Sequence, residues 1–138
     1  MKDYLIRAID KKGNIRVFVA STTNMVEKAR KTHNTSPTAT AALGRTLTVA
    51  SMMGAMMKNP KDKLTLRING GGPLGTILVV ADNHGRVKGY VDHPYADLPS
   101  RKDGKLDVGG LVGNQGSVTV IIDYGLKEPY IGQANLVT

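Results

Sequence analysis

The chain has 138 residues, 19 Lys and Arg against 11 Asp and Glu, and no Cys. This length predicts one domain, large enough to bury a core without disulfides or metal. Zero Cys excludes a disulfide framework, a Cys-ligated zinc or iron–sulfur site and a thiol nucleophile within these residues. Apolar residues make up 41% of the chain, the ordinary composition of a globular domain, so disorder and a repeat array fit poorly.

The formal net charge is +8, with 13 basic and 4 acidic side chains in residues 1–67 against 6 and 7 in the remainder. Such an excess suggests nucleic acid, an acidic membrane or an acidic partner. With no Trp, one Phe and five Tyr, however, the chain lacks the aromatic platforms on which single-stranded bases stack. No basic run exceeds Lys11-Lys12. A solvated basic face is the expected reading, because charge speaks to partners and solubility rather than to fold. Lys2, Asp3 and Arg7 interrupt the N-terminal apolar residues, unlike a signal peptide, so a cytoplasmic location is expected.

The first two apolar, β-branched runs, Asp3 to Ile9 and Ile15 to Ala20, flank the Gly-containing connection Asp10 to Asn14 and predict a hairpin. Asn24 with Glu27 resembles a capping arrangement for a first helix ending near His33-Asn34. Ser36-Pro37 then provides an N-cap and a preset first helical residue for a long helix reaching about Lys58, roughly 33 Å. Leu43, Leu47, Ala50, Met53 and Met57 share one stripe of it. The small residues along it, among them Gly44 and Gly54, suit a crowded interior. Its uncharged stretch, Thr46 to Met57, is too short to cross a bilayer, which takes about 20 apolar residues. The run Met52, Met53, Met56 and Met57 also fits a promiscuous binding surface, but two of its members lie on the core stripe.

Beyond Asn59-Pro60-Lys61-Asp62 the period changes to two. Leu64, Leu66 and Ile68 alternate with Lys63, Thr65 and Arg67, a strand with one wet face. Leu74 to Ala81 is apolar on both sides and predicts a central strand, joined by Asp82 to Gly85 to a strand over Arg86 to Val91. Asp92 to Lys105 predicts an irregular loop. Leu106 to Val108, Ser117 to Asp123 and Tyr130 to Val137 predict further strands. The expected class is α+β, with mostly antiparallel sheets of about eight short strands packed around a long buried helix plus one shorter helix.

Chemistry finds little support in the motifs. Gly70-Gly71-Gly72-Pro73-Leu74-Gly75 is glycine-rich, but Pro73 has no N–H and no Lys-Ser/Thr pair follows, so a tight turn is expected instead of a phosphate cradle. His33, His84 and His93 show no metal-ligand spacing and predict exposed loop residues. Ser21, Ser36, Ser51, Ser100 and Ser117 form no nucleophile elbow. Asp82, Asp92, Asp97, Asp103, Asp107 and Asp123 sit mostly at turns, where Asp serves the backbone. No catalytic, cofactor-binding or metal-ligating residue is therefore assigned, and an enzyme is not expected.

Three segments in order carry a resemblance: Pro37 to Thr46 with Ser51 to Lys58, Lys63 to Gly75, and Gly104 to Val108 with Gly125 to Gly132. Together they resemble the N-terminal core of the redox-regulated heat-shock chaperone family, the 33-kDa chaperonin, over residues 3–138. That resemblance implies an ATP-independent holdase that binds unfolding clients under oxidative stress. It also implies a C-terminal zinc-binding redox domain with four cysteines, for which this chain has no matching positions, so residues 1–138 are expected to be an incomplete core domain. The residues add a physical expectation: strands apolar on both faces need a second cover, given by a homo-oligomer (a dimer) or a missing C-terminal region, and part of that surface would meet unfolded clients. A basic nucleic-acid-binding module is the alternative, favoured only by the charge excess.

Overall fold

The long helix begins where Ser36-Pro37 sets it. In the computed structural model, which describes residues 1–137, Ser36 Oγ accepts from the Ala39 N–H at 3.1 Å and donates to the Ala96 carbonyl at 2.6 Å. This cap therefore starts the helix and also fastens the loop after Asp92 onto it. The helix ends at Ala55, earlier than Lys58, because the Met56 and Met57 N–H groups bond three residues back, to Met53 and Gly54. The turn containing Pro60 follows.

In chain order the described elements are β1 (Tyr4–Ile9), β2 (Arg16–Ser21), α1 (Thr23–His33), α2 (Pro37–Ala55), β3 (Lys63–Asn69), β4 (Ile77–Asp82), β5 (Val87–Val91), α3 (Val108–Val112), β6 (Ser117–Asp123) and β7 (Tyr130–Asn135). β1 and β2 form a two-stranded ribbon, while the other strands build one antiparallel sheet in the order β5-β4-β3-β6-β7. The α+β class read from the sequence holds.

α2 covers the inner face of this sheet through its buried Ala39, Ala42, Leu43, Leu47 and Ala50, against Leu64, Leu66, Ile77, Val79 and Ala81. Met53 and Met57 pack half-buried at the end of the same stripe. Two glycines bring backbones close. A Cβ at Gly54 would overlap the Asp82 carbonyl of β4, and one at Gly44 would lie 2.7 Å from a Val26 methyl of α1. Ser51 Oγ donates to the Gly85 carbonyl at 2.7 Å, tying the helix to the β4–β5 turn.

Among the described residues there are seven strands and three helices, where the sequence predicts about eight and two, and three further elements differ from that reading. Leu74 to Thr76 is not strand: the Leu74 N–H bonds to the Leu111 carbonyl at 3.1 Å, and its side chain fills the core from a loop. β4 thus starts at Ile77 and lies beside β3, which is the middle strand. Leu106 to Val108 is not strand either, because Asp107 Oδ1 accepts from the Gly110 N–H at 3.0 Å and caps the short α3. Finally, α1 has no side-chain cap from its own residues. Asp3 supplies one from upstream, accepting from the Asn24 and Met25 N–H groups at 3.0 and 2.7 Å, and this stitches the ribbon to the helix.

Asp82 organises the β4–β5 turn. Its Oδ1 accepts from the His84 and Arg86 N–H groups, and its Oδ2 accepts from Arg86 Nε at 2.7 Å. Burial pushes this carboxyl up, but the hydrogen bonds from Arg86 and His84 and the guanidinium charge outweigh it and hold the pKa below its ordinary value.

Two outcomes are expected. Gly54→Ala should destabilise the fold by about 1–3 kcal/mol through overpacking against immobile backbone, although Ala gains about 1 kcal/mol of helix propensity. Gly44→Ala meets both Val26 methyl positions, at 2.7 and 3.1 Å, and no rotamer of Val26 vacates both, but a side chain can give where backbone cannot, so its destabilisation should be the smaller of the two; equal shifts in urea midpoint would refute that distinction. For Asp82 the folded pKa is depressed, so its stabilisation is present above the unfolded value of about 3.9 and is lost as pH falls through the folded value. The gap in melting temperature between the parent and Asp82→Asn should be widest above about pH 4 and close on acidification; a constant gap would contradict the linkage.

Candidate functional site

The glycine-rich turn does not offer its amides to a ligand. Gly71 N–H donates to Asn69 Oδ1 at 2.9 Å, Gly72 N–H to the Val112 carbonyl at 3.0 Å, and Gly75 N–H to the Gly72 carbonyl at 3.2 Å. A Cβ at Gly70 or Gly72 would collide with backbone at Val112 and Gly113. The run exists to dock α3 backbone to backbone, with positive φ at Gly71 and Gly75.

The other polar candidates are dispersed. His84 and His93 are exposed and His33 is half-buried. Ser36 and Ser51 are tied to carbonyls, and Asp97 Oδ1 accepts from Thr38 Oγ1 at 2.6 Å. Asp92 Oδ2 accepts from the Thr76 N–H, Asp103 Oδ1 from Lys105, and Asp123 Oδ1 from Gly125, all backbone roles. On α1, the Arg30 hydrogen bond and charge hold the Glu27 carboxyl below its ordinary value on an open surface. Among the described residues no three His, Asp or Glu side chains come together as metal ligands. A four-cysteine zinc centre finds no donors in this chain, which has no Cys.

What the fold does present is apolar β surface without a cover. α2 packs on β3, β4 and β5 and so lies over one part of one face. Cross-strand register defines two rows on the other face: Lys88, Val80, Thr65, Ile121 and Ile131, then Tyr90, Leu78, Arg67, Thr119 and Gln133. Val80, Tyr90 and Ile131 are exposed, with Ile131 at 61%, and Leu78 and Ile121 are half-buried. Alternation along β3 runs Lys63, Thr65 and Arg67 through the middle of this face. The face therefore intersperses apolar Val80, Tyr90, Leu78, Ile121 and Ile131 with polar Lys88, Thr119 and Gln133 at its flanks and an all-polar strand at its centre.

At the β7 edge both faces are open: Tyr130 on the α2 side of the sheet is 57% exposed, next to Ile131 on the other. An edge strand with exposed apolar side chains also carries free backbone donors and acceptors, a template for another extended chain.

The ribbon is a second such surface, one that the residue pattern alone does not reveal. Tyr4, Ile6, Val17 and Val19 lie on one face by register and are each about half exposed. The opposite face carries Arg16 stacked over Phe18, 5.6 Å from the ring centroid. A lone two-stranded ribbon is marginal in water, so its attachment through Asp3 and through packing of β2 on α2 sustains it. Its strand pattern was legible, but not its isolation from the main sheet.

Known proteins share this architecture. The Hsp33 protein family profile matches residues 3–138. The 33 kDa chaperonins of Alkaliphilus metalliredigens and Clostridioides difficile are 58% and 54% identical over the whole chain. The chain spans about half the length of these relatives, 47% in each case. The crystal structure of the 33 kDa chaperonin from Thermotoga maritima superposes with a TM-score of 0.91 at 34% identity, covering 96% of this chain and 45% of that one. With residues 3–138 matched by the family profile and the fold shared with a solved relative, this chain belongs to the Hsp33 family.

Proposed function

We propose that this chain forms the client-holding β platform of an ATP-independent holdase chaperone, without enzymatic activity of its own. The observation that carries the reading is the five-stranded sheet covered by one helix over part of one face, leaving Val80, Tyr90 and Ile131 exposed on the other. An unfolding protein exposes apolar side chains and unpaired backbone groups. The sheet's outer face meets the first and the β7 edge meets the second. The names of the relatives support a chaperone role.

The finer parts of the proposal concern the complete protein. The uncovered face is shared between a second copy in a homodimer and the further length that the relatives possess. Redox control resides in a zinc-binding domain outside these residues, because nothing here can respond as a thiol. The working compartment is the cytoplasm; among the described residues no helix is long and apolar enough to cross a membrane.

Light scattering of a thermally unfolding client, without ATP, tests the proposal at low and high salt. Suppression of aggregation is expected at both, since apolar contact is not screened. A basic nucleic-acid module would instead show nucleic-acid affinity falling steeply with salt. The double variant Val80→Glu, Ile131→Glu alters exposed positions and should keep the parent's melting temperature while losing most of the suppression. Undiminished suppression by that variant would remove the outer face from the proposal, and a compact monomer that neither binds hydrophobic dye nor protects a client would end it.

A further inference from the structure

The methionine run at the end of α2 takes no part in the uncovered sheet face. Met53 lies in the last turn of α2, and Met56 and Met57 follow its end at Ala55 in a tightened turn whose N–H groups bond back to Met53 and Gly54. All three line a single cleft of about 370 Å³ between the helix end, β3 and β6. Met53 and Met57 are half-buried and Met56 is 42% exposed, so the thioethers run from the core's edge out to water.

Asp62 belongs to the wall of the same cleft. It is only 1% exposed, and it is held by a hydrogen bond from the Asn59 N–H to Oδ2 at 3.2 Å. Its other oxygen, Oδ1, is buried with no hydrogen-bond partner. A buried carboxylate oxygen in that position is unfavourable unless a donor or a cation meets it.

The chemistry of the wall narrows the choice of cation. An ammonium would satisfy the carboxylate but gain little from thioethers, which are weak hydrogen-bond acceptors. Calcium and magnesium demand a shell of oxygen ligands, of which the cleft has too few. Thioether sulfur is a soft ligand that selects Cu(I). Lys58 on the rim adds a positive charge that favours a monovalent over a divalent ion.

We propose that Met53, Met56 and Met57, with Asp62 as the counter-charge, form a binding site for a soft monovalent metal ion, Cu(I). This is separate from client holding and uses none of the residues assigned to it. Binding is simple coordination: the copper remains Cu(I), and water or a carrier ligand leaves as the sulfurs enter.

The test is an anaerobic titration of the chain with Cu(I) against the chromophoric competitor bicinchoninate, followed in parallel by NMR of methyl-labelled methionine. One equivalent of Cu(I) should leave the competitor, and the methyl signals of Met53, Met56 and Met57 should shift while those of Met1, Met25 and Met52 stay. Zn(II) should produce no such shift. The triple variant Met53→Leu, Met56→Leu, Met57→Leu should lose binding with an unchanged circular dichroism spectrum, since Leu matches Met in volume. If the triple variant does not fold, Met56→Leu alone, at the exposed position, should weaken binding. Asp62→Asn should weaken it by about tenfold. Failure to draw Cu(I) from the competitor, shifts confined to Met1 or the histidines, or a triple variant that binds as the parent does would each overturn the proposal.

Discussion

The close approach of α2 to β4 governs the rest of the molecule. Gly54 lies against the Asp82 carbonyl with no room for a Cβ, and the side chains of Ala39, Ala42 and Ala50 let Leu43 and Leu47 reach Leu64, Leu66 and Val79. Dispersion and apolar burial are strongest at such short separations, because each atom in the contact gains several neighbours at optimal distance. Small residues at the contact thus let one helix of modest length carry most of the core. The Ser36 cap, the Thr38–Asp97 bond and the Ser51–Gly85 bond fix its position from both ends.

The same economy leaves surface exposed. One helix is narrower than five strands, and it lies toward β3, β4 and β5. Val118, Val120 and Ile122 of β6 reach the core from the side, but among the described residues no helix packs closely over β7. On the outer face, polar Thr65 and Arg67 separate the apolar residues of β4 and β5 from those of β6 and β7. Had those central positions been Val or Ile, the face would present a continuous apolar patch prone to irreversible association. The alternation along β3 therefore does two jobs: it places Leu64, Leu66 and Ile68 in the core and breaks up what is exposed on the reverse.

Much of this was legible in the sequence, for local reasons. Ser36-Pro37 specifies a helix start by hydrogen bonding and fixed φ alone, and the period-two pattern of residues 63–68 specifies a strand and its buried side. The family resemblance was legible as well, and the matched profile bears it out. Features set by distant partners were not legible. Asp3 caps a helix twenty residues downstream, Leu74 is buried from a loop, and Val108, β-branched and so read as strand, is helical because Asp107 caps it and the Gly70 to Leu74 backbone docks against it. Both faces of β4 look alike in sequence, yet Ile77 and Val79 are buried and Val80 is exposed, since only the register against β3 decides which side α2 covers.

Charge completes the physical picture. Lys63, Arg67 and Lys88 project from the open face, and the molecule as a whole carries +8. β7 itself carries no charged side chain, so the charge on this face lies on β3 and β5 and leaves the apolar residues of the edge strand exposed. Thr65 and Arg67 of β3 divide the apolar residues of this face and keep them from forming one continuous patch. The basic excess, which in isolation suggests nucleic acid, is concentrated in residues 1–67, and on this face it stands as separate Lys63, Arg67 and Lys88 side chains among apolar neighbours and forms no continuous basic patch.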